Sequence, residues 1–214
     1  MILDLGLADA ILFVINIVTG FTIHEYAHAR VASELGDETP REQNRLTLNP
    51  IAHISVVGFV MILFAGFGWA KPVQIDAEKY KNPRLGLALV AISGPLSNLI
   101  GACLAAGLFR LLHSSSVEAL VGDVVFGYLL RFFLWATWIN VMLGVFNLLP
   151  IPPLDGSRLV QALVPSGYES AIRLYFRIGT YILLAIIIAT AVFHVSLLPI
   201  VPLTRAVSKW LLGT

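Results

Sequence analysis

Apolar residues run almost unbroken over five stretches of the chain, with polar residues gathered between them. The stretches are about Ala8–Leu35, Ile51–Ala70, Leu85–Leu112, Val124–Pro150 and about Ile172–Phe193. A membrane-spanning helix needs roughly 20 mostly apolar residues, so each has the length of a span. The second is the weakest, because it is near the minimum and carries His53, Gly58, Gly66 and Gly68. A shorter tail, Val195–Leu212, is interrupted by Pro199 and Pro202, holds Arg205 and Lys209, and reads as an interfacial segment. The pattern predicts an all-α polytopic membrane protein with about four to five transmembrane helices. A re-entrant segment and a short β-hairpin-like element are expected over about residues 51–76. With no long polar loop for a second soluble domain, one integral-membrane domain is expected over 1–214. Its core covers about 8–160, followed by a C-terminal helix and tail over 170–214.

Composition agrees with a bilayer setting. The chain is 57% hydrophobic and 13% charged, against about 45–50% and about 25% for an ordinary soluble domain. A net charge of +1 carries no nucleic-acid signal. The single cysteine, Cys103, lies in an apolar run and has no partner for an internal disulfide. Residues 1–9 contain Asp4 and Asp9 but no lysine or arginine, so a cleavable secretory leader is not expected.

Inside the first apolar stretch sit three ionisable residues, His24, Glu25 and His28, in the pattern HEYAH. A charge at the bilayer centre costs roughly 2.5–3.5 kcal/mol on insertion scales, so intramembrane ionisable groups point to function. On a helix, positions four apart share a face. Both imidazoles can then reach one Zn²⁺, and the glutamate beside the first can take a proton from water there. A catalytic zinc uses three protein ligands. His53 reads as an interfacial residue, His113 and His194 lie at segment ends, and Asp123 reads as an interface marker. Asp155 is left, just after Pro150, Pro152 and Pro153, where a helix must unwind. Irregular backbone at membrane depth is tolerated where protein buries it or it lines a watery cavity.

The stretches HEYAHAR, RLTLNPIAHI, GWAKPV, SGPLSN and NLLPIPPLDGSR, in this order over about Phe21–Arg158, resemble the site-2 protease family of intramembrane zinc metalloproteases. The resemblance implies one zinc per chain, held by His24, His28 and Asp155, with Glu25 as catalytic base. It implies cleavage of transmembrane protein substrates within or near the bilayer, in regulated intramembrane proteolysis, with membrane-anchored regulators as one substrate class. Relatives often carry a preceding helix or a PDZ or CBS domain. This chain reads as a minimal, core-only member.

Three side-chain amides are candidates for stabilising an oxyanion or positioning substrate: Asn98, Asn140 and Asn147. Interhelical hydrogen bonding is the alternative for each. The stretch GWAKPVQID, residues 68–76, is extended in character. Val73, Gln74 and Ile75 are candidates to clamp an unwound substrate by main-chain pairing, with a plain surface hairpin as the alternative. Two other classes compete. A metal transporter would place ligands on several helices and would not need Glu25. A non-proteolytic zinc-binding protein or chaperone of the same fold would commonly lack it. The positive-inside pattern predicts a multi-pass cell-membrane protein with its N-terminus outside, its active site toward the cytoplasm and the 113–123 loop outside.

Overall fold

The structure is a computed structural model that describes residues 5–65, 68–113, 120–193 and 198–213. Four of its helices are long and apolar enough to cross a membrane. These are α1 (Leu7–Glu34), α5 (Pro83–His113), α6 (Asp123–Asn147) and α8 (Glu169–Phe193). They correspond to the first, third, fourth and fifth apolar stretches. Shorter helices lie between and after them: α2 (Thr39–Glu42), α3 (Pro50–His53), α4 (Val56–Ala65), α7 (Asp155–Leu163) and α9 (Ile200–Leu212).

The second apolar stretch does not form one span. It breaks into α3 and α4, and the ten residues of α4 rise only about 15 Å. The β-hairpin-like element expected over residues 51–76 is corrected as well: among the described residues there is no strand, only an isolated antiparallel bridge between Ile54 and Ala70. The reason is local. Val56–Ala65 is a continuous apolar run without period-two alternation, and periodicity cannot separate helix from strand in such a run. A helix satisfies its backbone groups internally, which a lone hairpin at membrane depth does not. Residues 68–76 are extended, yet they pair with loops and side chains, not with a strand.

Helices α1, α5 and α6 pack on one another and form the centre of the molecule. Phe13 and Ile17 of α1, Ile62 of α4, and Ile139 and Leu143 of α6 make one buried apolar cluster. Ala32 of α1, Tyr80 just before α5 and Val90 of α5 make a second at the opposite end of α1. Polar ties add to this packing. Asn16 of α1 donates to Phe132 O of α6 at 3.4 Å, and Arg131 of α6 lies 3.6 Å from Asp9. The tail is helical despite Pro202, which falls in the first turn where no amide donor is needed. It packs against α6 and α5. Of the expected 113–123 loop, residues 114–119 lie outside the described residues, as does His194.

Candidate metal centre

His24 and His28 lie one turn apart on the buried face of α1, and Glu25 between them is buried too. Asp155 is the first residue of α7. The chain leaves α6 at Leu148, turns through Pro150, Pro152 and Pro153, and re-enters helix at Asp155. The turn is tight because Gly156 sits directly on the carbonyls of Leu148 and Leu149; a Cβ there would come within 2.6 Å of Leu148 C. That close approach swings Asp155 back toward α1. Asp155 Oδ2 lies 3.0 Å from His24 Nε2 and 3.2 Å from His28 Nε2, and the two imidazole nitrogens are 3.1 Å apart. Among the described residues this is the one group of three such side chains close enough to share a metal ion.

The far side of each ring decides what the near side offers. His28 Nδ1–H donates to Val90 O at 2.7 Å, since a carbonyl can only accept. His24 Nδ1 lies 2.7 Å from Asn98 Oδ1. The amide of Asn98 donates to Gly20 O at 3.1 Å and to Asn140 Oδ1 at 2.9 Å, so its oxygen faces His24 and accepts. In their neutral form both histidines therefore carry the proton on Nδ1 and present bare Nε2 lone pairs. Two lone pairs and a carboxylate oxygen then converge on one point. A cation among the three would neutralise their mutual repulsion. Gly94 of α5 backs this point: a Cβ would fall 2.7 Å from His24 Nε2 and closer still to His28 Nε2. Two imidazoles and a carboxylate, each imidazole oriented by a second partner, suit zinc.

Glu25 meets the extended segment. Val73 N–H donates to Glu25 Oε2 at 2.9 Å. Gln74 accepts from Gln43 at 2.8 Å, and Ile75 packs against the cluster of Ala32, Tyr80 and Val90. Much of the segment's backbone is already committed. Lys71 N–H donates to His53 O at 2.7 Å and Asp76 N–H to Asp37 Oδ2 at 2.7 Å.

The three asparagines separate. Asn98 is fully buried behind His24 with both amide hydrogens engaged. Asn140 accepts from Asn98 and donates to Ala136 O at 2.8 Å. Asn147 is half-buried near the start of the proline turn and donates one amide hydrogen to Leu143 O at 3.0 Å. Of the other histidines, His53 is buried with Nε2–H donating to Thr47 O, and His113 stacks on Phe109. Two residues have contacts that the sequence does not announce: Val90, which acts through its carbonyl, and Arg45, the first residue of RLTLNPIAHI, which contacts the carbonyls of Lys71 and Pro72.

No solved structure matches the chain. Residues 114–190 match the family described as peptidase family M50. YwhC of Bacillus subtilis, a protein named as a zinc metalloprotease, is 46% identical over 157 residues, covering 73% of this chain and 71% of YwhC. Zinc metalloprotease MJ0392 of Methanocaldococcus jannaschii is 26% identical over 172 residues, 79% of this chain and 40% of that protein. Rip3 of Mycobacterium tuberculosis, also named as a zinc metalloprotease, is 27% identical over 169 residues, and the chain spans 34% of its length. With a match of this extent to YwhC and two histidines and an aspartate converging as a ligand set, the chain belongs to peptidase family M50, the site-2 protease family.

Proposed function

We propose that this multi-pass membrane zinc metalloprotease cleaves peptide bonds of transmembrane protein substrates within or near the bilayer, as a step of regulated intramembrane proteolysis. The observation that carries the reading is Glu25, a buried carboxylate one residue from His24 and turned toward an extended segment beside the three ligands. His24, His28 and Asp155 would hold the zinc, which when bound would supply Lewis acidity for carbonyl polarisation and for water activation near neutral pH. Glu25 takes the proton of the attacking water and hands it to the leaving amine. Asn98 and Val90 O hold the imidazoles in orientation, and Asn147, near the start of the proline turn, is our candidate to meet the developing oxyanion. Val73, Gln74 and Ile75 line the path of the unwound substrate, offering only the main-chain groups that the protein does not use itself. The catalytic core covers about 8–160, with the C-terminal helix and tail over 170–214 in the same integral-membrane domain.

Glu25→Gln tests the reading. The variant should keep zinc near one per chain and lose cleavage of a model transmembrane substrate. The Glu25→Gln protein should also retain bound substrates such as membrane-anchored regulators. Cleavage at the parent rate would remove Glu25 as the base; a zinc-loaded parent that cleaves no transmembrane substrate would overturn the protease reading in favour of a non-proteolytic zinc-binding membrane protein.

We infer further that the chain enters the membrane after Ile54 along α4 and is back at the same level by Ala70. Pairing of Ile54 with Ala70, and of Lys71 N with His53 O, supports this, because the chain leaves and comes back at one level. The N-terminus then lies outside and the metal centre faces the cytoplasm. Arg41, Arg45, Lys71, Lys79, Lys81, Arg84, Arg158, Arg173 and Arg177 then all fall on the inner side, as the positive-inside pattern requires. Single cysteines at Gln43, Lys79 and Ser116 in a Cys103→Ala background should label from outside only at Ser116. External labelling at Lys79 sinks the topology.

A further inference from the structure

Arg45 is 4% exposed, and among the described residues its guanidinium is spent on backbone carbonyls instead of a carboxylate. Nη1 donates to Ala52 O and, at 3.2 Å, to Lys71 O; Nη2 donates to Pro72 O at 3.5 Å. A cation buried in this way is costly unless its donors are placed with purpose. The three carbonyls come from two different parts of the chain. Ala52 is in α3, while Lys71 and Pro72 lie within the extended segment. The arginine therefore pins the segment onto α3.

The peptide that links Pro72 to Val73 is shared. Its carbonyl accepts from Arg45, and its N–H donates to Glu25 Oε2 at 2.9 Å. The bond is trans, so the carbonyl and N–H lie in one plane and point in opposite directions. Fixing the carbonyl fixes where the amide hydrogen points. A positive charge on the carbonyl side also polarises the peptide and strengthens the hydrogen bond on the amide side.

We propose that Arg45 is a positioning residue for the reaction, aiming the Glu25 carboxylate through the Pro72–Val73 peptide plane. This rests on Glu25 serving as the base. Arg45 touches neither the metal ligands nor the reacting atoms. Its planar fork spans carbonyls that a lysine ammonium cannot hold together.

The test compares Arg45→Gln and Arg45→Lys with the parent in detergent, for bound zinc, cleavage kinetics and hydrogen–deuterium exchange across residues 71–75. Arg45→Gln should keep zinc near one per chain and lower kcat about a hundredfold, with KM changed less than about threefold. Arg45→Lys should fall between. Exchange at Val73 N–H should rise roughly tenfold in Arg45→Gln, since its partner is no longer held. Guanidinium ion should restore part of the kcat of Arg45→Ala. Parent-level kcat in both variants overturns the proposal, as does a rise in KM alone or loss of zinc. Unchanged exchange at Val73 overturns it without any reference to activity, which also covers a parent that proves unable to cleave. If the parent cleaves, Glu25→Gln does not, and the Arg45 variants behave as the parent, only the role of Arg45 fails and the protease reading stands.

Discussion

His24 and Glu25 are neighbours in the chain, yet opposite kinds of structure hold them. His24 is held by the helical bundle: Asn98 of α5 accepts its proton, and that amide is in turn tied to Gly20 of α1 and Asn140 of α6. Glu25 is held by a loop, through one backbone amide of an extended segment. The segment itself is anchored by Arg45 at one end and by Asp37 at the other. His24 thus sits among three helices tied together behind it. Glu25, the proposed base, is aimed by a piece of chain that a substrate strand could compete with. A ligand set has to keep its geometry through a catalytic cycle, whereas a base must change partners within it.

Breaking the loop side should have the largest effect on turnover. Val73→Pro deletes the amide that reaches Glu25 and keeps the extended conformation. Cleavage should drop about a hundredfold while zinc stays bound. Cleavage at the parent rate would show that this amide does nothing for the base and would remove the clamp reading of residues 73–75 with it.

Breaking the scaffold side should act on the metal. Asn98→Ala removes the acceptor for His24 Nδ1–H and frees the ring. Zinc affinity, measured by competition with a chelator, should fall about 10–100-fold, the usual loss for a partner behind a ligand. The comparison sharpens if Val73→Pro leaves that affinity untouched. It breaks if Asn98→Ala binds zinc as the parent does.

The smallest effect concerns the far anchor of the loop. Burial raises the Asp37 carboxyl, but hydrogen bonds from the Thr39 side chain, the Asp76 and Thr39 backbones and Lys79 outweigh it and hold it below the ordinary 3.8. Because folding lowers this pKa, the unfolded chain takes up the proton first as the solution is acidified. The contribution of Asp37 is full above the ordinary carboxylate range and fades as the pH falls through the lower folded value. Asp37→Asn should cost about 1–3 kcal/mol near neutrality and flatten the decline in thermal midpoint below about pH 4. An equally steep decline in the variant places the acid sensitivity elsewhere.

Much of this arrangement could be read from the chain before the fold was seen, and the unread part has a common cause. The four long spans follow from apolar run length alone. The HEYAH spacing puts His24 and His28 on one face because a helix has a fixed pitch, and the proline turn before Asp155 marks where helix must stop. The second apolar stretch misled because an unbroken apolar run carries no period. Asn98 was legible as a polar residue in a span but not as the partner of His24, since only the rotation of α5 against α1 decides what its oxygen meets. Arg45 looked like one more cytoplasmic charge. Its partners are carbonyls 7, 26 and 27 residues away, and a carbonyl is the same in every residue, so no spacing in the sequence could announce them.

Helix α5 has one further consequence. The 25 residues between Arg84 and Arg110 rise about 38 Å as helix, against a hydrocarbon thickness of about 30 Å. Such a helix leans or thickens the lipid around it. Gly94 and Asn98, which back the two imidazoles, sit midway along this oversized rod. Because α5 packs on α1 and α6, the bundle tilts as one, so the acyl-chain length of the host membrane sets the depth at which His24 and His28 sit and leaves their spacing alone.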